Sequence, residues 1–203
     1  MAETRSDDLN QYFLAILPPQ SVLDEAMKLK HYFRDKFHSK ASLNSPAHIT
    51  VHMPYRWKER KEEAMVALFN QFARQFDPFK ICLDNFGSFA PRVIFINVAA
   101  SEALNDFHKS LERFCKRELN LFNANYREEP FHPHLTLAFR DLKKDAFKTA
   151  WEEFSAKEFK AEFMADTLTL LKHNGKLWEV FRQFSLAPSH STDRENTQKT
   201  TES

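Results

Sequence analysis

Apolar positions along the chain change period repeatedly, and the changes mark out the elements. Residues 11–17 carry six apolar residues in a row, from Tyr12 to Leu17. They read as a buried strand ended by Pro18 and Pro19. Val22, Ala26, Leu29, Phe33 and Phe37 then recur at helical spacing, which predicts a helix over 21–37. A loop through Asn44, Ser45 and Pro46 leads into a strand over 48–55. Met65, Leu68, Phe69, Phe72 and Phe76 predict a helix over 59–76. Strands over 79–86 and 92–98 follow, joined across Gly87 and Pro91. The helix over 102–119 has Leu104, Phe107, Leu111, Phe114 and Cys115 on one face, with Ser101 as its N-cap. A strand over 134–139 and a helix over 144–159 come next, the latter carrying Phe147, Ala150, Trp151 and Phe154. Two strands around the hairpin signal Asn174-Gly175 close the fold.

The order strand–helix–strand–helix–strand thus occurs twice. It predicts an α+β fold, bilobal and pseudo-symmetric, with antiparallel-rich sheets around a central cleft. The expected organisation is a loose N-terminus over 1–10 and a single bilobal domain over 11–186. Its lobes fall at roughly 11–90 and 91–186, with strands free to exchange between them. A polar, Ser/Thr-rich tail over 187–203 is expected to be disordered.

The two halves share one piece of text. His48-Ile49-Thr50-Val51 and His134-Leu135-Thr136-Leu137 occupy equivalent strands. With 9 His in the chain, about one His-x-Ser/Thr match is expected by chance, and four occur. His108 falls in a helix and His190 in the tail, and both read as chance. In a strand, residues i and i+2 share a face. His48 therefore projects with Thr50, and His134 with Thr136, while the aliphatic residues point the other way. Two such strands facing each other line a cleft with two imidazoles and two hydroxyls. An imidazole titrates near pH ~6.5, so one can be neutral while the other is protonated. That is what a paired general base and general acid require. The Thr hydroxyls can donate to phosphate oxygens, and the arrangement calls for no metal.

Composition narrows the chemistry. Lys+Arg 29 against Asp+Glu 28 leaves +1, so bulk charge does not recruit nucleic acid. Gly 2 excludes a Walker A loop, a GxGxxG fingerprint and a Gly-rich kinase loop. Cys82 and Cys115 read as small buried thiols. The polar start is unlike a signal peptide, and no apolar run approaches the ~18 residues of a membrane span. The expectation is a cytoplasmic protein with no membrane association and no obligate protein partner.

Around these motifs the sequence resembles the two-histidine (2H) phosphoesterase superfamily, in particular its bacterial 2′-5′ RNA ligase-like branch of RNA 2′,3′-cyclic phosphodiesterases. The matching stretches run from Pro46 to Pro54 and from Phe131 to Phe139. Residues 91–95 and the closing hairpin are similar in a less specific way. The resemblance implies metal-independent hydrolysis of 2′,3′-cyclic phosphates to 2′-phosphates, at RNA 3′ ends or on nucleotides, without a cofactor. It implies that His48 and His134 are the catalytic pair, without saying which is acid and which base. It implies that Thr50 and Thr136 bind the phosphate. Members often carry an Arg one position earlier than Arg140. On a regular strand Arg140 shares the face of His134 and Thr136 and reaches the phosphate as a further ligand, and a bulge would reverse that.

Other residues stand near the motifs. By parity His52 joins His48 and Thr50, as a substrate contact or a packed histidine. Tyr55, Phe89 and Phe131 are candidates for stacking on a base, and Arg92 for contacting phosphate. His132-x-His134 and His48-x₃-His52 also suggest a metallohydrolase. The Thr residues would then have no purpose, and neither motif contains an acidic ligand. A non-catalytic module for RNA ends or nucleotides is the third alternative.

Overall fold

Residues 8–122 and 130–187 are described by the computed structural model. The expectations for residues 1–7, His190 and the tail from 188 onward lie outside the described residues. The elements are β1 (Leu9–Ile16), α1 (Gln20–Phe37), a 3₁₀ turn (Ala41–Asn44), β2 (Ile49–Lys58), a 3₁₀ turn (Glu59–Lys61), α2 (Glu62–Ala73), β3 (Phe79–Phe89), β4 (Val93–Val98), α3 (Glu102–Leu119), β5 (His134–Ala138), α4 (Lys144–Ser155), β6 (Lys160–Ala165), β7 (Thr167–His173) and β8 (Trp178–Ser185).

Several differences from the sequence expectation have local causes. β1 begins at Leu9 because its first residues pair with the far end of β2, Leu9 opposite Lys58. α2 is shorter than the expected 59–76, since residues 59–61 form a 3₁₀ turn and the helix ends at Ala73, before Phe76. α4 stops at Ser155, and Lys160–Ala165 form a strand, β6, which the sequence did not suggest. That segment reads Lys-Ala-Glu-Phe-Met-Ala, which is rich in helix formers. It is held extended at the sheet edge by pairing with β3 alone. Ser101 caps α3 as expected, its hydroxyl accepting from the Leu104 amide at 3.3 Å.

All eight strands form one antiparallel sheet, in the order β6-β3-β4-β5-β2-β1-β7-β8. It curls into a half-barrel. The series β1-α1-β2-α2-β3 is repeated by β4-α3-β5-α4-β6, and the pseudo-two-fold passes between the central strands β2 and β5. β3 leaves its own series and pairs with β4 and β6, while the β7–β8 hairpin fills the equivalent place beside β1.

The helices lie on one face. α1, which connects β1 to β2, packs on β5; α3, which connects β4 to β5, packs on β2. Each motif strand is therefore backed by the helix of the other series. The layer between is aromatic, with Phe33, Phe69, Phe72, Phe107 and Phe154 essentially solvent-free. Phe33 and Phe154 pack at a tilt with ring centres 4.7 Å apart, and Phe72 and Phe114 likewise at 4.8 Å. The opposite face carries a smaller apolar cluster of Phe13, Ala15 and Leu171, with Leu17 and Trp178 packed against it. Both motifs open onto this second face.

Candidate active site

Ile49 stands opposite Leu135 where β2 meets β5. Both are fully buried against the helices. Partner indices in an antiparallel pair have a constant sum, so His48 falls beside Thr136 and Thr50 beside His134. The four side chains make a rectangle on the helix-free face. Neighbouring Cβ atoms in such a pair are about 5 Å apart and diagonal ones about 7–8 Å. The two motifs thus lie side by side on adjacent strands of one sheet, rather than on strands facing across a gap. The sequence expectation of facing strands is corrected here, because β2 and β5 are both central and pair directly.

Each imidazole is fixed in the same way. His48 Nδ1 bonds the Pro46 carbonyl at 2.8 Å, and His134 Nδ1 bonds the His132 carbonyl at 2.8 Å. A carbonyl only accepts, so Nδ1 carries the proton in both rings. Nε2 is left in each case as the atom free for chemistry. A ring from the flanking strand holds each imidazole from the side. Phe13 lies 4.8 Å from His48 and is itself packed edge-on against Trp178 at 4.7 Å. Phe95 lies 4.7 Å from His134 and packs at a tilt against Phe89 at 4.5 Å. Gly87 on β3 makes room for this second wall: a Cβ there would fall 2.4 Å from both the Phe95 ring and Asn97 Oδ1. Asn97 stands opposite His134 on β4.

Burial sets the electrostatics. Loss of hydration pushes the His48 imidazole down to about 4, and the charges of Lys30 and His134 push the same way. His134 is also held below its usual value, chiefly by burial, with His132 adding to it. Unliganded, the pair is neutral at pH 7.

Bulges decide the fate of two other candidates. His134 and Thr136 pair regularly with Asn97 and Phe95, but Ala138 pairs with Ile94, which leaves Leu137 as an extra residue. Leu137 and Ala138 are both buried with the helices. The matching irregularity in β2 places His52 opposite Leu14, on the helix face. His52 is 1% exposed and lies edge-on to Tyr55. The expectation that His52 lines the cleft is therefore corrected. The parity argument for Arg140 fails for the same reason: after the bulge, Phe139 takes the face of Thr136. Arg140 sits beyond the strand end in a left-handed conformation, φ 60°, exposed, with its guanidinium 5.1 Å from the centre of the Phe139 ring.

The remaining candidates divide by face. Phe89 lies at the cleft mouth, 41% exposed, with His132 5.1 Å away. Tyr55 packs on Tyr12 within the helix-side core, and Phe131 stacks on His108 at 3.7 Å. Cys115 is buried, whereas Cys82 is only half-buried. His48 and His52 point to opposite faces of β2 and cannot share a metal. Among the described residues, no cluster of three His, Cys, Asp or Glu side chains could hold one. Nor is any described helix long and apolar enough to cross a membrane. The sequence reading missed Phe13 and Phe95, which alternate with core residues on their strands and carried that signal, and Trp178, whose neighbours Leu177 and Glu179 are exposed and gave none.

The family model described as the 2′-5′ RNA ligase superfamily matches residues 18–177. The chain belongs to this superfamily. Among its relatives is a protein named "Putative phosphoesterase" from Oceanobacillus iheyensis, 27% identical over 179 residues, covering 87% of this chain and 98% of the relative. A protein of the same name from Bacillus mycoides is 26% identical over 182 residues, covering 88% and 98%. Among solved structures, apo LigT from E. coli superposes with a TM-score of 0.61 at 18% identity, covering 89% of this chain and 99% of LigT. TT0787 from Thermus thermophilus gives 0.60 at 22% identity, covering 89% and 100%. These likenesses establish the shared fold.

Proposed function

We propose that this member of the superfamily is a phosphodiesterase that hydrolyses 2′,3′-cyclic phosphates to 2′-phosphates, on RNA 3′ ends or nucleotides, by paired-histidine catalysis without a metal. The observation that carries the reading is the rectangle of His48, Thr136, His134 and Thr50, with both imidazoles presenting Nε2 on one face. In the reaction, a water oxygen attacks phosphorus and gives its proton to the neutral Nε2 of one histidine. The P–O3′ bond breaks, and the protonated Nε2 of the other histidine delivers a proton to O3′. The Thr50 and Thr136 hydroxyls donate to the non-bridging oxygens, where charge accumulates. Arg140, whose guanidinium rests on the cleft-side ring of Phe139, adds a cation at the rim.

Substrate charge completes the design. A bound phosphodiester anion favours the imidazolium form of whichever histidine it touches. It thereby allows one histidine to take up from solvent the proton that burial denies the unliganded pair. The names of the relatives support phosphoester chemistry, and LigT from E. coli has been crystallised in complex with 3′-AMP, which supports a nucleotide ligand.

The test is hydrolysis of a short RNA ending in a 2′,3′-cyclic phosphate, in excess EDTA, by wild type and by His134→Ala. The expected result is a 2′-phosphate product in EDTA from wild type and none from the variant. Turnover that requires added zinc, or equal turnover by both proteins, would overturn the proposal.

A further inference from the structure

A lysine occupies the middle of the apolar stripe of α1. The buried residues of that helix are Val22, Ala26, Lys30, Phe33 and Phe37, and Lys30 is 1% exposed. Helical spacing would accept any aliphatic residue there. A buried ammonium with no carboxylate partner among the described residues is costly, so its position calls for a reason. Its ammonium donates to the Ser42 carbonyl at 2.8 Å and the Ser45 carbonyl at 3.1 Å.

Both carbonyls belong to the loop that delivers the first motif. That loop is held at three places. Asp141, just beyond β5, accepts from the Ser39 hydroxyl at 2.7 Å and from the Lys40 and Ala41 amides at 2.8 and 2.9 Å. The Ser42 hydroxyl donates at 2.6 Å to the carbonyl of Leu137, the extra residue of the β5 bulge. Lys30 grips the next turn. One residue after Ser45, the Pro46 carbonyl accepts from His48 Nδ1. The loop therefore ties the end of the second motif strand to the ring of the first motif's histidine, and Lys30 is its only contact from the helix layer that carries charge among the bonds described.

We propose that Lys30 is a positioning residue for His48, fixing the Pro46 carbonyl that selects its Nδ1–H tautomer and disfavouring its protonation through a buried positive charge. The proposal rests on the reading of His48 as one of the two reacting histidines. The charged and titratable groups bearing on His48 are Lys30 from α1 and His134 from β5, while β1 presents the uncharged Phe13. Burial lowers the Lys30 ammonium itself to about 7. Its charge is thus present in the acid range, where His48 titrates, and is lost above neutrality.

The test reads the His48 ring directly and needs no substrate. In wild type, ¹⁵N NMR of the imidazoles should show His48 as the Nδ1–H tautomer. A second, smaller inflection should appear in its ring signals where the Lys30 side chain, followed by its own ¹³Cε signal, loses its proton. In Lys30→Met, the His48 midpoint should rise by about one pH unit, with the Nε2–H tautomer appearing. Lys30→Arg should restore the midpoint, because it restores charge and donors. With a cyclic-phosphate substrate, Lys30→Met should lower kcat by about tenfold or more with KM little changed. An unchanged His48 midpoint and tautomer in Lys30→Met would overturn the inference. If that variant does not fold, absence of the coupled inflection in wild type would overturn it instead. Failure of the substrate assay with the NMR coupling intact would count against the cyclic-phosphate reading and leave the positioning role standing.

Discussion

Ile49 lies opposite Leu135, and the register of this pair sets each histidine beside the other motif's threonine. In the proposed mechanism, acid, base and phosphate donors therefore come from both strands, and neither motif is complete alone. His48→Ala and His134→Ala should each lower kcat/KM by about 10²–10⁴, the usual worth of a positioned acid or base. Thr50→Ala and Thr136→Ala should each lose about 10²–10³ if the hydroxyls stabilise charge on phosphate. Circular dichroism should show all four folded. A double His48→Ala/His134→Ala variant no worse than either single one would show that the pair acts as a unit.

Burial holds both histidines below their usual range, His48 at about 4. A group needed neutral is lost as pH falls through its pKa, and a group needed protonated is lost as pH rises through its own. The kcat/KM profile should be bell-shaped, with its acid limb near that value and its alkaline limb below about 6.5. Bound phosphate raises both pKa values, so the kcat profile should lie at higher pH than the kcat/KM profile. Steady-state rates at saturating and low substrate across about pH 4–9 check this. A flat profile is incompatible with the paired mechanism.

His52 offers a stability experiment. Its Nε2 is buried with no hydrogen-bond partner among the described residues, and burial lowers its pKa. His48, His108 and His134 are lowered too. Unfolded histidines bind protons near pH ~6.5, and these folded ones do so only at lower pH. Stability should thus be complete above that value and fall as pH drops below it. His52→Leu removes one such group and one unsatisfied nitrogen. Its Tm should match or exceed wild type at pH 7 and fall less steeply toward pH 5, with turnover retained. Loss of turnover beyond about tenfold, with the fold intact, would return His52 to the cleft.

The two His-x-Thr motifs were legible because they combine a strand period with a repeat, and each signal supports the other. The α3 boundaries and cap were legible because Ser101 and an unbroken apolar stripe leave little choice. β6 was not, since its residues favour a helix and only pairing with β3 makes it a strand. His52 and Arg140 were misplaced by one cause. A bulge follows each Thr, and an inserted residue reverses parity without altering composition. Leu29 was assigned to the stripe and does pack against the core at its edge, while Lys30 is the more deeply buried of the two. Spacing could not separate them: Leu29 lies three residues after Ala26 and four before Phe33, Lys30 four after and three before, so hydrophobicity decided the assignment.

Gly87 supplies the last prediction. Its backbone φ is ordinary, so the requirement for glycine is one of space. The missing side chain is replaced by the Phe95 ring and the Asn97 amide, both on the face of His134. In Gly87→Ala, the new methyl must displace the Phe95 ring, which holds the His134 imidazole at 4.7 Å and packs against Phe89. Overpacking of this kind costs about 1–3 kcal/mol, and Tm should fall accordingly. Turnover should fall by more than the loss of folded protein explains, because displaced Phe95 no longer fixes His134. Gly87→Ala/Phe95→Leu, which frees the space, should recover stability and leave activity impaired. Full activity in Gly87→Ala would mean that the Phe95 wall does not orient the histidine.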